Sequence, residues 1–118
     1  MNAPRSPHHR DTFAYLTESG EVVLLEEICH EVAAILEDGG VGMDLPAIAA
    51  VIRGARLATE ATARGELHPE REAYLAHLKA TLRAQRFVMG DGDIEAALRA
   101  LVGVLSRRDI SRVIYTRD

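Results

Sequence analysis

The sequence predicts an all-α domain. It would be a four-helix bundle or two packed helical hairpins, with the chain ends open between short strands and short helices. Two observations carry this. Four stretches repeat apolar residues at helical spacing, and each is bracketed by start or stop signals. The connections between them run to about five residues or fewer, apart from Phe87 to Asp93, which favours antiparallel neighbours.

Residues 1–11 hold two prolines, two arginines and the pair His8-His9, and read as a flexible leader. Residues 12–118 read as a single helical domain. The first predicted helix spans Glu21 to Asp38. Val22, Leu24, Leu25, Ile28, Cys29, Val32, Ala33, Ile35 and Leu36 fill one half of its wheel, and Glu26, Glu27, His30, Glu31, Glu37 and Asp38 the other. Ser19 is the expected N-cap, and Gly39-Gly40 the stop. The second runs from Leu45 to Arg64, with Asp44 as N-cap, Pro46 in the first turn and Gly65 at the end. Its small residues Ala50, Gly54, Ala58 and Ala61 form a strip, and Gly54 suits a close approach by a neighbouring backbone.

The third helix is expected from Pro69 to about Arg86. Tyr74, Leu75, Leu78 and Leu82 make one apolar face, Ala73, Ala76, Ala80 and Ala84 a shallower one, and Lys79, Arg83 and Arg86 lie between. The fourth runs from Ile94 to Arg107, capped by Asp93, with Ile94, Ala97, Leu98, Leu101, Val102, Val104 and Leu105 as its expected buried face and Arg107 and Arg108 suited to its negative end. Thr12 to Thr17 and Arg112 to Thr116 are β-prone and hold Phe13, Tyr15 and Tyr115, but segments this short do not reveal their own period.

Composition narrows the function classes. The 118 residues are 47% apolar and 27% charged, which suits a globular chain and not a disordered or collagenous one. Cys29 is the one cysteine, which excludes an internal disulfide and a multi-cysteine zinc site. No apolar run nears the roughly 20 residues that cross a bilayer, and Met1 to Arg10 lacks the apolar core of a secretory signal. The expected location is cytoplasmic. Net charge is −4, which removes the bulk electrostatic reason to expect nucleic acid binding.

Several patterns touch on chemistry. Glu27 and His30 have the Glu-x-x-His spacing of di-iron bundles, but one copy on the polar half of a helix leaves the ligand set incomplete. No metal or cofactor is expected. His30-Glu31-Val32 resembles the His-Glu-aliphatic core of the phospho-accepting helix in histidine kinases and related phosphotransfer domains. That resemblance covers three residues and implies His30 as a phospho-acceptor. The proline and leucine that usually follow are replaced by Ala33, Ala34 and Ile35. Cys29 reads as a small buried thiol, and His68 and His77 as surface residues. The stretch Met89-Gly90-Asp91-Gly92-Asp93 suggests a calcium loop, but Val102 stands where the bidentate glutamate belongs. It reads as a glycine turn.

Charge is uneven. Residues 1–60 carry a net −6 and residues 61–118 a net +2, and the cations are arginines apart from Lys79. Arg107, Arg108, Arg112 and Arg117 crowd the C-terminus, which makes a nucleic-acid-binding regulator one alternative. The acidic face of the first helix (Glu26, Glu27, Glu31) is expected to meet basic residues of another helix or protomer. The leading expectation is a non-enzymatic regulatory or accessory protein that binds other proteins and itself as a homodimer, because its helices offer more apolar surface than one copy can hide. The residues expected to carry this are Leu24, Ile28, Val32, Ile35, Gly54, Ala58, Lys79, Arg83 and Arg86.

Overall fold

A computed structural model describes residues 13–115. The predicted leader, residues 1–11, lies outside them, as do Thr12, Thr116 and Arg117. The element order is β1 (Phe13–Thr17), β2 (Val22–Leu24), α1 (Leu25–Asp38), α2 (Leu45–Ala63), α3 (Arg71–Ala84), α4 (Asp91–Arg107) and β3 (Ile110–Tyr115). The three strands form one antiparallel sheet in the order β2-β1-β3. The all-α, helical-bundle expectation is therefore corrected: the fold is mixed, with helices packed against a sheet. Both β-prone ends are strands. Each supplies the other's hydrogen-bond partner, a fact that neither short segment carries alone.

β1 and β2 form a hairpin. Thr17 anchors its turn: the Thr17 N–H donates to the Glu21 carbonyl at 2.9 Å, and the Glu21 N–H donates to Thr17 Oγ1 at 2.9 Å. Gly20 sits in the left-handed region at φ +94°, where glycine is unstrained. This overturns Ser19 as a helix cap and Glu21 as a helix start. The run Val22-Val23-Leu24-Leu25 suits either period. The strand period wins, because Val23 is 3% exposed while Val22 and Leu24 are each 55% exposed. α1 then begins with the Glu27 carboxylate accepting the Leu24 N–H at 3.1 Å.

Asp44 caps α2 as expected, accepting the Ala47 N–H at 3.4 Å. α1 ends on Gly40 (φ +79°), with Val41 N–H closing onto the Leu36 carbonyl at 2.8 Å. α3 is shorter than predicted at both ends: Pro69 precedes it, and Arg86 lies beyond it in the left-handed region (φ +71°). α4 begins at Asp91 after Gly90, so Asp93 lies in its first turn and is not the cap.

One core joins the two layers. Ile28, Val32 and Leu36 of α1, Ile48, Val51 and Ile52 of α2, Leu78 and Leu82 of α3, and Ile94 and Val104 of α4 are buried with Phe13, Tyr15 and Val23 of the sheet. α1 buries a narrower stripe than a half-cylinder, since Ile35 is exposed, and the alanine face of α3 (Ala76, Ala80, Ala84) meets solvent. Glu31 ties α1 to the end of α4: Arg107 donates to Oε1 at 2.9 Å, and Arg108 pairs with Oε2. The Arg108 guanidinium, aided by Arg107, holds the Glu31 carboxyl below the usual range. No helix of the described residues is long and apolar enough to cross a membrane.

Gly54 is a point of close approach between α2 and α3, though to a side chain and not a backbone. A Cβ there would lie 2.6 Å from Leu78 Cδ1, and Leu78 is fully buried. Gly103 on α4 is exposed, and a Cβ there would meet nothing within 4 Å. Gly54→Ala should therefore lose stability by about 1 kcal/mol or more, because overpacking outweighs the helix-propensity gain. Gly103→Ala should gain about 0.5–1 kcal/mol. Urea unfolding of both variants checks the pair.

Candidate binding groove

Alternation along the strands divides the sheet into two faces. Pairing sets Tyr15 beside Val23 and Val113, and Phe13 beside Tyr115, so these share the inner face above the helices. Ala14, Leu16, Val22, Leu24, Arg112 and Ile114 share the outer face. β3 is an edge strand. A bulge at Ser111, whose hydroxyl donates to the Leu16 carbonyl at 3.1 Å, leaves Arg112 to Tyr115 in regular register with β1.

Beside β3 the helix layer continues. Tyr74 of α3 and Leu98, Leu101 and Leu105 of α4 line an open cavity of about 590 Å³, whose sheet side is Tyr15 and the stretch Ile110 to Val113, Arg112 included. Val102, 66% exposed, stands at its margin. A second hollow of about 370 Å³ between α3 and α4 adjoins it across the shared side chains Tyr74 and Leu98.

Polar groups along the groove are few and mostly engaged. Tyr115 donates its hydroxyl to Glu60, whose carboxylate also faces Arg56 Nε at 3.7 Å. Arg56 Nε is buried without a hydrogen bond. The Tyr74 hydroxyl donates to the Ala55 carbonyl at 3.1 Å and lies 3.4 Å from Thr59 Oγ1. Burial pushes the Tyr15 phenol well above its ordinary range; Cys29 adds to the rise and Arg56 opposes it. Burial likewise pushes the Cys29 thiol up, with Arg53 opposing and Glu26 adding, so this cysteine is a poor nucleophile.

The residues expected to bind a partner are scattered. Ile28, Val32, Gly54 and Ala58 lie inside the core. Leu24 is exposed on β2, and Ile35 is exposed on α1. Lys79 pairs with Asp91 at 3.0 Å, while Arg83 and Arg86 are exposed around the end of α3. His30 is exposed on α1, away from the groove-lining residues. Among the described residues no cluster of three His, Cys, Asp or Glu side chains could hold a metal ion. Glu31 meets Arg107 and Arg108 within the chain, so two of the four C-terminal arginines are committed to the fold. The groove itself was missed. Its sequence signal is Val102 and Leu98 widening the apolar arc of α4 beyond what one contact needs. No protein-family model, curated protein or solved structure matches the chain.

Tyr15 gives a pH test. Its phenol binds a proton more tightly folded than unfolded, so its contribution is present below pH about 10 and is lost as pH rises further. The native protein should unfold in alkali with Tyr15 ionising in the transition. Tyr15→Phe should change neutral-pH stability by less than about 1 kcal/mol. It should also remove an alkaline slope of up to about 1.4 kcal/mol per pH unit. Absorbance at 295 nm with circular dichroism follows both.

Proposed function

We propose that this protein is a regulatory or accessory module that works by binding another polypeptide and not by catalysis. The partner adds an extended strand along β3, the outer strand among the described residues. One observation carries the reading: among the described residues β3 is the outer strand of the sheet, and a largely apolar groove lies beside it. Strand addition supplies backbone hydrogen bonds at the edge, and alternate side chains drop into the groove. β3 has no proline, and Arg112 is its one charge, so it carries little of the usual protection of an edge. The engagement of Glu60 by Tyr115 and Arg56, and the desolvated phenol of Tyr15, suit a binding surface better than proton transfer. We place the protein in the cytoplasm, where its single thiol stays reduced.

Hydrogen exchange read by NMR tests this. A capped octapeptide alternating valine with threonine should slow amide exchange along Arg112 to Tyr115. Val102→Glu should weaken that protection at least tenfold in peptide concentration. Unchanged exchange in β3 at millimolar peptide would end the reading.

A second surface supports self-association. On the outer sheet face Val22 and Leu24 are each 55% exposed and Leu16 and Ile114 half-buried beside Arg112, where a solvated antiparallel face would alternate to polar. A second copy offers the same face across a two-fold axis. Three strands cover about 14 Å by about 17 Å. That is well under the ~800 Å² per partner of a standard interface, so the expected homodimer is weak. Light scattering should show mass rising with concentration, and Val22→Glu with Leu24→Glu should hold it at one chain. A wild-type mass constant up to millimolar protein would remove the homodimer.

A further inference from the structure

The charge along β3, the outer strand among the described residues, also bears on which polypeptide it takes. Arg112 lies on the outer face of the sheet, paired through the backbone with Leu16 on β1. Its guanidinium has no carboxylate partner among the described residues. Arg99, in the adjoining hollow, has none either among the described residues. The other charges nearby are matched: Arg71 pairs with Glu95, and Arg56 with Glu60. Arg112, at the mouth of the groove, and Arg99 are thus two guanidinium groups without a carboxylate partner among the described residues, in a chain whose net charge is −4.

A strand laid against β3 alternates as β3 does. Its inward residues would stand beside Val113 and Tyr115, above Leu98, Leu101 and Leu105, and must be apolar. Its outward residues would stand beside Arg112 and Ile114. The position beside Arg112 is a direct cross-strand neighbour, where an opposite charge stabilises and a like charge destabilises. Either strand direction puts an outward residue there.

We infer that the partner segment is an extended stretch alternating apolar residues with acidic ones, and that a carboxylate of it pairs with Arg112. This rests on the strand-addition reading above. A single-stranded nucleic acid would meet the same guanidinium, but it would leave the strand edge unpaired and the aliphatic floor without a match.

Two capped octapeptides test it. Both alternate valine with threonine; one carries glutamate and the other lysine at the central outward positions. Fluorescence anisotropy at low salt should give the glutamate peptide about fivefold tighter binding. Arg112→Glu should reverse the order, and Arg112→Gln should abolish the difference while leaving Val102→Glu still disruptive. Circular dichroism confirms that each variant is folded. Equal binding of the two peptides, or a preference unmoved by Arg112→Glu, overturns the acidic partner and leaves strand addition standing. Failure of both peptides to protect β3 overturns both readings. Tighter binding of a labelled oligonucleotide, lost in Arg112→Glu, would overturn the peptide in favour of nucleic acid.

Discussion

The pairing of β1 with β3 organises the rest of the molecule. It joins Phe13 to Tyr115 across nearly the whole described chain, and it sets Tyr15 between Val23 and Val113 over the core. Closing so long a loop costs entropy that grows only slowly with length. The return is a central strand hydrogen-bonded on both sides and nearly all buried. Phe13 packs edge-on against Tyr15 and Tyr115, with ring centroids 5.6 and 6.0 Å apart, which ties the first described strand to the last. The four helices are local structures that could form early. Their arrangement beneath a common sheet needs this one non-local pairing.

The same pairing leaves the fold unfinished on one side. α1 packs beneath β1 and β2, and α4 meets β3, while α3 makes its main contact with α2. The sheet is thus narrower than the layer below it. Beyond β3, the outer strand among the described residues, the half-buried Tyr74, Leu98 and Leu105 line the groove over the buried Leu101. An apolar floor beside a strand edge is the setting in which strand addition works, and the proposed function draws on it.

Much of the helix layer was legible in the sequence, because its signals are local. Asp44, Pro46 and Gly65 bracket α2 as their chemistry requires, and the stripes Ile28-Val32-Leu36 and Leu75-Leu78-Leu82 lie where their spacing puts them. The strands were less legible. Val22 to Leu25 is an unbroken apolar run that fits two periods, and only the turn at Gly20 decides between them. β1 and β3 are five and six residues long and have no stable structure apart from each other. The groove was invisible for a related reason. Periodicity assigns surplus apolar surface to α1 and α3. The core absorbs most of the large side chains there, leaving Ile35 exposed on α1, while Val102 on α4, Val22, Leu24 and Tyr115 on the sheet, Leu45 at the start of α2 and Val88 between α3 and α4 are exposed as well. Surplus is a property of packing between layers, and periodicity within one helix does not locate it.

The arginine-rich C-terminus divides into two roles at one corner. Arg107 and Arg108 lie where α4 ends, and both guanidinium groups sit at the negative pole of the helix as well as on Glu31. They fasten the end of α4 to α1. Asp109, in the left-handed region at φ +55°, then reverses the chain, and the Glu18 N–H donates to its carbonyl at 2.9 Å, tying the corner to the hairpin turn. β3 therefore leaves α4 in a direction set by three other elements. A strand edge oriented this firmly offers its hydrogen-bonding groups without first having to be ordered, so less of the binding free energy is spent on arranging the site. Arg112, four residues past the clamp, stays outside that network, with no carboxylate partner among the described residues. The same short basic stretch thus builds the corner with its first two guanidinium groups and leaves the third exposed beside the strand edge.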